Sequence, residues 1–360
     1  MNMNTKLTRL LLIAFIILSN NQVSFSQEKI EKKKEEKSFN FVPVPYVSYN
    51  RTYEFMVGAV PMVMYNVNKK DTISPQSLSG AMGVYTTNKS WFSAIFTKLY
   101  LNEDKWRILF GAGLGNMNSQ FLQSAGTDQF TNIQTGADFL KLEIKRKIAK
   151  GVYVGGSYLY TKFDNEYKYE NSVQEEVTLN GLGLVVLWDK RDDVYNPTKG
   201  HKANINITSY PSFMGNNEES NEVNLEYNKF ISTKNKHNVW AFRAYGAFGL
   251  GDVPFNNLIV MGGRGADLRG YSQGEYRGKQ LLAAQTEYRY KLSDNMGLVG
   301  FVGAGTIFES NIDSNNGKFL PSIGAGYRFM AFPKNKMNVG LDFAAGKGDW
   351  GVYFRIGESF

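Results

Sequence analysis

From Phe41 onward, apolar and polar side chains exchange places at every second position over segments of about ten residues, which is the period of strands. Lys141, Glu143 and Lys145 take one side of residues 140–146, and Leu140, Leu142 and Ile144 take the other. Asn204 and Asn206 alternate with Ala203, Ile205 and Ile207, and Asn224, Glu226 and Asn228 with Val223, Leu225 and Tyr227. Near the end, Asn338, Gly340 and Asp342 alternate with Val339, Leu341 and Phe343. A slip of one residue would exchange the two faces, so each register is fixed by its own pattern. About sixteen such segments follow one another, an even number that can close and leave no free edge. Short connections (149–150, 234–235, 293–295, 332–334) alternate with longer polar ones (118–134, 163–176, 212–220, 251–278, 309–317). Short turns at one end and long loops at the other are the asymmetry of a transmembrane antiparallel β-barrel. A soluble periplasmic sandwich shows the same alternation, so the period alone does not separate the two.

The loop asymmetry and the aromatic C-terminal strand favour the barrel, the sandwich staying as a third reading, and composition points the same way. The 25 Phe, 21 Tyr and 36 Gly, set against two His, suit strands with one face in lipid and aromatic girdles at its borders. No apolar run past residue 26 approaches the ~20 residues a membrane helix needs. The start carries Lys6 and Arg9, an apolar run over 10–18, and the small-residue site Ser24, Phe25, Ser26, so residues 1–26 read as a secretory signal peptide. With no cysteine in the chain, neither a lipid anchor nor a disulfide framework is expected. Residues 27–40 are rich in mixed charge and read as a short disordered periplasmic tail, followed by a barrel domain over 41–360. With both termini in the periplasm, every long loop falls outside.

The formal charge of +8 is spread along the chain without a basic block, so no nucleic-acid partner is expected. His201 and His237 have no nucleophile or acidic pattern beside them, which leaves neither a catalytic triad nor a metal cluster. The pairs Asp192-Asp193, Glu175-Glu176 and Glu218-Glu219 fall in turns, where solvation explains them. No enzymatic activity, metal or cofactor is therefore expected, and an outer-membrane lipase or protease has no residue to rest on. The glycine-rich stretch 262–271 does not read as a phosphate cradle, because a strand rather than a helix follows it: Gln285, Glu287, Arg289 and Lys291 alternate with Ala284, Thr286, Tyr288 and Tyr290.

Within that stretch, Leu268-Arg269-Gly270-Tyr271 resembles the V/L-R-G-F/Y signature of BamA- and TamA-like outer-membrane barrels, which insert or translocate proteins. Three more segments carry the resemblance. Residues 189–200 look like the family's D-x-R-D…N-P-x-x-G periplasmic turn, with Asp189, Arg191 and Asp192 pairing locally and Pro197 and Gly200 ending it. Glu287-Tyr288-Arg289 and the strand from Phe301 to Thr306 are similar to the strands after the signature loop. Phe354, Ile356 and Phe360, on one face of the last strand, resemble the C-terminal aromatic signal read by outer-membrane assembly machinery.

The resemblance implies a sixteen-stranded barrel whose long sixth extracellular loop folds into the lumen, where Arg269 meets Glu287. The family's aspartate in F-x-D-x-G is Gly303 here, so the lock is single-sided or Asp342 substitutes. The family's periplasmic POTRA domains are not expected in so short a tail. The implied work is insertion or translocation of a protein or lipid. A passive pore or structural barrel is the alternative. Expected partners are outer-membrane lipids, with a client, a separate periplasmic protein or a second copy.

Pro43 and Pro45 raise a point of their own. They lie in a first-strand candidate over 42–49, where residues two apart aim their amides to the same side, and neither proline has a donor. If that side faces the last strand, bent at Gly357, the first-to-last seam is easily opened. Alternatively the prolines only lead into a strand beginning near Tyr46.

Overall fold

The computed structural model describes residues 39–124, 128–167, 173–234, 237–262 and 268–360. The signal segment, residues 27–38 of the tail, and residues 263–267 of the glycine-rich stretch lie outside the described residues. The first wall strands are β1 (Phe39–Asn50), β2 (Glu54–Tyr65), β3 (Ser77–Thr86), β4 (Trp91–Leu101), β5 (Trp106–Ser124) and β6 (Asp128–Ala149). Then come β7 (Val152–Tyr167), β8 (Val173–Asp189), β9 (Gly200–Tyr210), β10 (Ser220–Ser232) and β11 (Val239–Gly251). Two short strands in a loop, β12 (Ile259–Val260) and β13 (Arg277–Gly278), precede β14 (Gln280–Lys291), β15 (Met296–Phe308), β16 (Leu320–Phe332), β17 (Met337–Gly346) and β18 (Asp349–Ile356). All but β12 and β13 close into one sixteen-stranded antiparallel barrel, with each strand beside its sequence neighbour and β18 returning to β1.

Alternation sorts the side chains as lipid requires. Ile95, Leu184, Val302, Ile323 and Phe343 are exposed on the outside, while Glu143, Arg243, Glu287, Arg328 and Asp342 are buried within. Such an inversion of the soluble pattern is stable only where hydrocarbon meets the outer face.

Two expectations are corrected. β1 begins at Phe39, so the first strand takes in the end of the expected tail and is longer than 42–49. The expected loops 118–134 and 163–176 are largely strand: β5 and β6 run in register to Ser124↔Asp128, and β7 and β8 to Tyr167↔Val173. At about 3.3 Å per residue, the 22 residues of β6 far outrun a membrane crossing. Past the bilayer both faces meet water, so Asn118, Ser119, Gln120 and Asn132 need no alternation and the strand loses its signature.

Candidate functional site

The described residues of the connection between β11 and β14 pack on the buried faces of the strands that hold it. Ile259, Met261, Leu268, Tyr271 and Tyr276 form one apolar cluster with Ala247, Leu281, Ala283, Ile307 and Leu320. Small residues on the wall make room for it. A Cβ on Gly303 would lie 2.7 Å from Gln285 Cγ and 2.9 Å from Leu268 Cδ1, and one on Gly305 would lie 3.2 Å from Leu268 Cδ2. Gly270 takes φ +99°, and a Cβ there would stand 2.7 Å from the Ala345 carbonyl carbon. Only glycine allows the chain to turn so close to β17.

Arg269 is 1% exposed. It donates to Glu287 Oε2 at 2.8 Å, to Asp342 Oδ2 at 2.6 Å and to Gln285 Oε1 at 3.3 Å, and it lies 3.3 Å above the Phe301 ring. The structure therefore brings Arg269, Glu287 and Asp342 together, and the space left at Gly303 is filled by Leu268. Around this triad sequence reasoning missed a wider network. Arg289 donates to Glu287 Oε1 at 2.8 Å, Arg355 to Asp342 Oδ2 at 2.6 Å, and Arg328 to both Asp342 and Glu358. Its signal was present in the sequence, because Arg289 shares the inward face of β14 with Glu287 two positions away. Four guanidinium groups around three carboxylates in a desolvated site hold one geometry, and removing a member leaves charge uncompensated at about 3–5 kcal/mol.

The same segment reaches the rim on both sides of the β1–β18 junction. Gly270 N donates to Tyr353 Oη at 2.9 Å, and Tyr271 Oη donates to Pro321 O at 2.6 Å. Ser272 N donates to Asp349 Oδ2 at 2.5 Å on β18, while Ser272 Oγ accepts the Arg51 amide at 3.1 Å from the β1–β2 turn. Thr52 Oγ1 adds a bond of 2.6 Å to Gln273 O. The loop thus clips both edges at one end.

At the other end lies the 190–199 turn. Asp189 accepts from Arg191 Nε at 2.8 Å and from Arg107 at 2.7 Å. Asp192 accepts the Thr198 hydroxyl at 2.6 Å and the amides of Thr198 and Lys199 at 2.9 and 3.1 Å. Burial alone would raise the Asp192 carboxyl, but these donors outweigh it and hold the group below its usual range. Pro197 O accepts from Arg289 at 3.3 Å, and Gly200 opens β9. Tyr195 packs on the apolar cluster of the early strands, its hydroxyl donating to Gln76 O at 2.6 Å.

Between these ends, β1 and β18 are in register only at Tyr49↔Val352 and Asn50↔Gly351, whereas β1 and β2 pair from Phe39↔Tyr65 to Asn50↔Glu54. The direction of the amides explains part of this. Phe55 donates its amide to Thr87 Oγ1 at 3.2 Å and accepts the Thr87 amide at 2.9 Å, so both its backbone groups face β3. Tyr49, opposite Phe55, accordingly aims its amide at β18, and residues two apart repeat the direction. Pro43 and Pro45 fall in that set, and each removes a donor on the β18 side. Pro61, opposite Pro43, does the same toward β3, where the register lapses between Ala59↔Gly83 and Met62↔Gly80.

Beyond Val352 the two strands overlap. Val44, Val60, Met62 and Met64 face inward and form one apolar cluster with Leu78, Phe332 and Met337, and Val339, Phe354 and Ile356, from the outward faces of β17 and β18, pack against that cluster. Tyr46 meets Phe354 edge-on at 5.4 Å. An inward face can lie on an outward face only where β18 passes inside β1, so the seam is lapped and apolar. Phe354 and Ile356 are covered there, and Phe360 leaves their face. Gly357, at φ +81°, turns the chain inward, and Phe360 packs with Phe230, Val239 and Ala241.

The Omp85 superfamily domain matches residues 74–360 of the chain. Among solved structures, the chain is similar to BamA from Haemophilus ducreyi lacking POTRA domains 1-3, with a TM-score of 0.58 and 15% identity over 96% of this chain and 78% of that one. It is similar also to CdiB from Acinetobacter baumannii (TM-score 0.61, 14% identity, 89% of this chain and 60% of that one). CdiB from Escherichia coli gives a TM-score of 0.57 and 10% identity over 87% and 67%. At these identities the likeness is one of fold. Comparison with curated proteins found no match.

Proposed function

The chain belongs to the Omp85 superfamily and is an integral outer-membrane barrel, and from that premise we propose that it assists a protein or lipid client to insert into, or cross, the outer membrane through the β1–β18 seam. Its long loop acts as an internal stopper and as the clip on that seam. The observation that carries this reading is the seam itself, in register at two adjacent positions and otherwise lapped by apolar side chains. Sliding two apolar faces apart breaks few directional bonds, whereas opening any neighbouring ladder would strand rows of backbone donors in hydrocarbon. Arg269 links the two elements: its partners Glu287 and Asp342 hold the segment whose next residues tie Arg51 to Asp349.

Cysteines at Tyr49 and Val352, which face each other across the seam, test the proposal in vesicles. Assisted folding of a urea-unfolded outer-membrane barrel is expected to stop when the pair is oxidised and to return on reduction. Equal assistance in both states would refute a moving seam. Planar-bilayer conductance separates this reading from a passive pore, since a closed wild type that conducts after Arg269→Ala fits a stopper and a steady wild-type current fits a pore.

A further inference from the structure

Arg277, in β13 of the same loop, forms no ion pair among the described residues. Among the described residues the guanidinium makes one hydrogen bond, from Nη1 to the backbone oxygen of Phe255 at 3.2 Å, and it lies 4.2 Å over the Phe255 ring. Its Nε is sealed from solvent with no acceptor. Burial pulls this guanidinium down to about 10, with no carboxylate among the groups acting on it. Arg277 is half-buried, and a sealed Nε without an acceptor, on a cation with no acid beside it among the described residues, calls for an explanation such as a bound anion.

Beside Arg277 is a cavity of about 160 Å³. Met117, Ile133, Phe163 and Val260 give it apolar walls, while the polar groups of Tyr53 and Asn256 on its lining are engaged with Gln273 and Asn165. The Tyr53 phenol, raised by burial to about 12, stays neutral and donates to Gln273 Oε1 at 3.3 Å, so Arg277 is the charged group on the lining. Glu275, close by in sequence, lines the neighbouring cavity and not this one. That neighbour, about 660 Å³, is lined mostly by polar side chains of the loop-bearing end of the barrel and shares Thr52, Ser119, Gln120, Ile133 and Gln273 with the smaller one, which provides a way in from outside.

We propose that this cavity is a binding site for an organic carboxylate, with Arg277 taking the anion and the apolar walls taking a small adjoining hydrocarbon or aromatic group. A guanidinium fork matches two carboxylate oxygens, and a bare inorganic anion would leave the apolar walls unused. The carboxylate belongs either to a free small molecule or to an acidic side chain of an extended peptide in the lumen. This inference is independent of seam opening.

Ligand-observed fluorine NMR on the purified barrel in detergent, with 4-fluorobenzoate as probe, tests it. Saturable binding is expected, weakened at least tenfold in Arg277→Gln and only partly in Arg277→Lys, with heat-modifiable migration on gels showing that each variant is folded. No saturable binding to the wild type, or equal binding to Arg277→Gln, overturns the site. Displacement by inorganic phosphate as readily as by benzoate overturns the organic half of the proposal. A short glutamate-containing peptide that displaces the probe, where its glutamine counterpart does not, identifies a chain segment as the source; displacement by benzoate alone identifies a free acid.

Discussion

Arg269 and Arg277 leave the same loop, and each lies over an aromatic ring, 3.3 Å above Phe301 in one case and 4.2 Å above Phe255 in the other. They differ in what the wall offers. The strands facing Arg269 supply Glu287, Asp342 and Gln285, and among the described residues the groups around Arg277 supply one backbone oxygen. The ring is common to both and does not decide the outcome. One cation is built into the protein, and the other is left for something that arrives.

The sharpest way to break that contrast is to remove the acid with most partners. Asp342 accepts from Arg269, Arg328 and Arg355, so Asp342→Asn leaves three guanidinium groups short of one charge. A loss of about 3–5 kcal/mol is expected, read as a lower midpoint of heat-modifiable migration. A loss under about 1 kcal/mol would mean that the network is hydrated rather than desolvated. Arg269→Ala should cost less, about 3 kcal/mol, because Glu287 keeps Arg289 and Asp342 keeps Arg328 and Arg355. Its distinctive effect is release of the loop: new protease cleavage within 252–279 and a rise in channel conductance. Arg269→Lys should recover less than half of the loss, since a single ammonium cannot bridge two carboxylates and an amide.

Gly303→Val tests the same side by volume instead of charge. The added side chain would collide with Gln285 and Leu268, and overpacking of this kind costs about 1–3 kcal/mol. If conductance rises while Arg269, Glu287 and Asp342 are all intact, the stopper depends on the fit of Leu268 as well as on the ion pairs. Unchanged conductance would assign the hold to charge alone.

Much of this was legible in the sequence, for a definite reason. Lipid forbids a slipped register, so segments such as those around Leu142, Ile205 and Leu341 announce both their strand and their faces. The tetrapeptide at 268–271 pointed to Arg269, and alternation placed Glu287 on the inward face. The extensions of β5 to β8 were illegible because water on both sides removes the constraint that writes the pattern. The lapped seam was hidden for a different reason: Phe354 and Ile356 are apolar whether lipid or β1 and β2 cover them. Arg328 and Glu358 came into the network through strand neighbours and the turn at Gly357, which no local spacing encodes.

The smallest expected effects fall at Arg277, and their sign carries the information. Arg277→Gln removes a charge that no carboxylate among the described residues offsets, so stability should stay within about 0.5 kcal/mol of wild type or rise slightly, in contrast to the loss at Arg269. Gln273→Glu is the complementary change, because Gln273 lines the same cavity and the substitution adds an acid of nearly equal size. If the cavity lacks only an anion, this variant should gain about 0.5–1 kcal/mol near pH 7 and lose its affinity for fluorobenzoate. A new carboxylate beside a guanidinium has a folded pKa below its unfolded one, so the gain is present above about pH 4 and disappears as pH falls through the folded value. A Gln273→Glu protein that is no more stable yet still binds the probe would show that Arg277 already satisfies its charge in water, and the distinction between the two arginines would then be one of exposure alone.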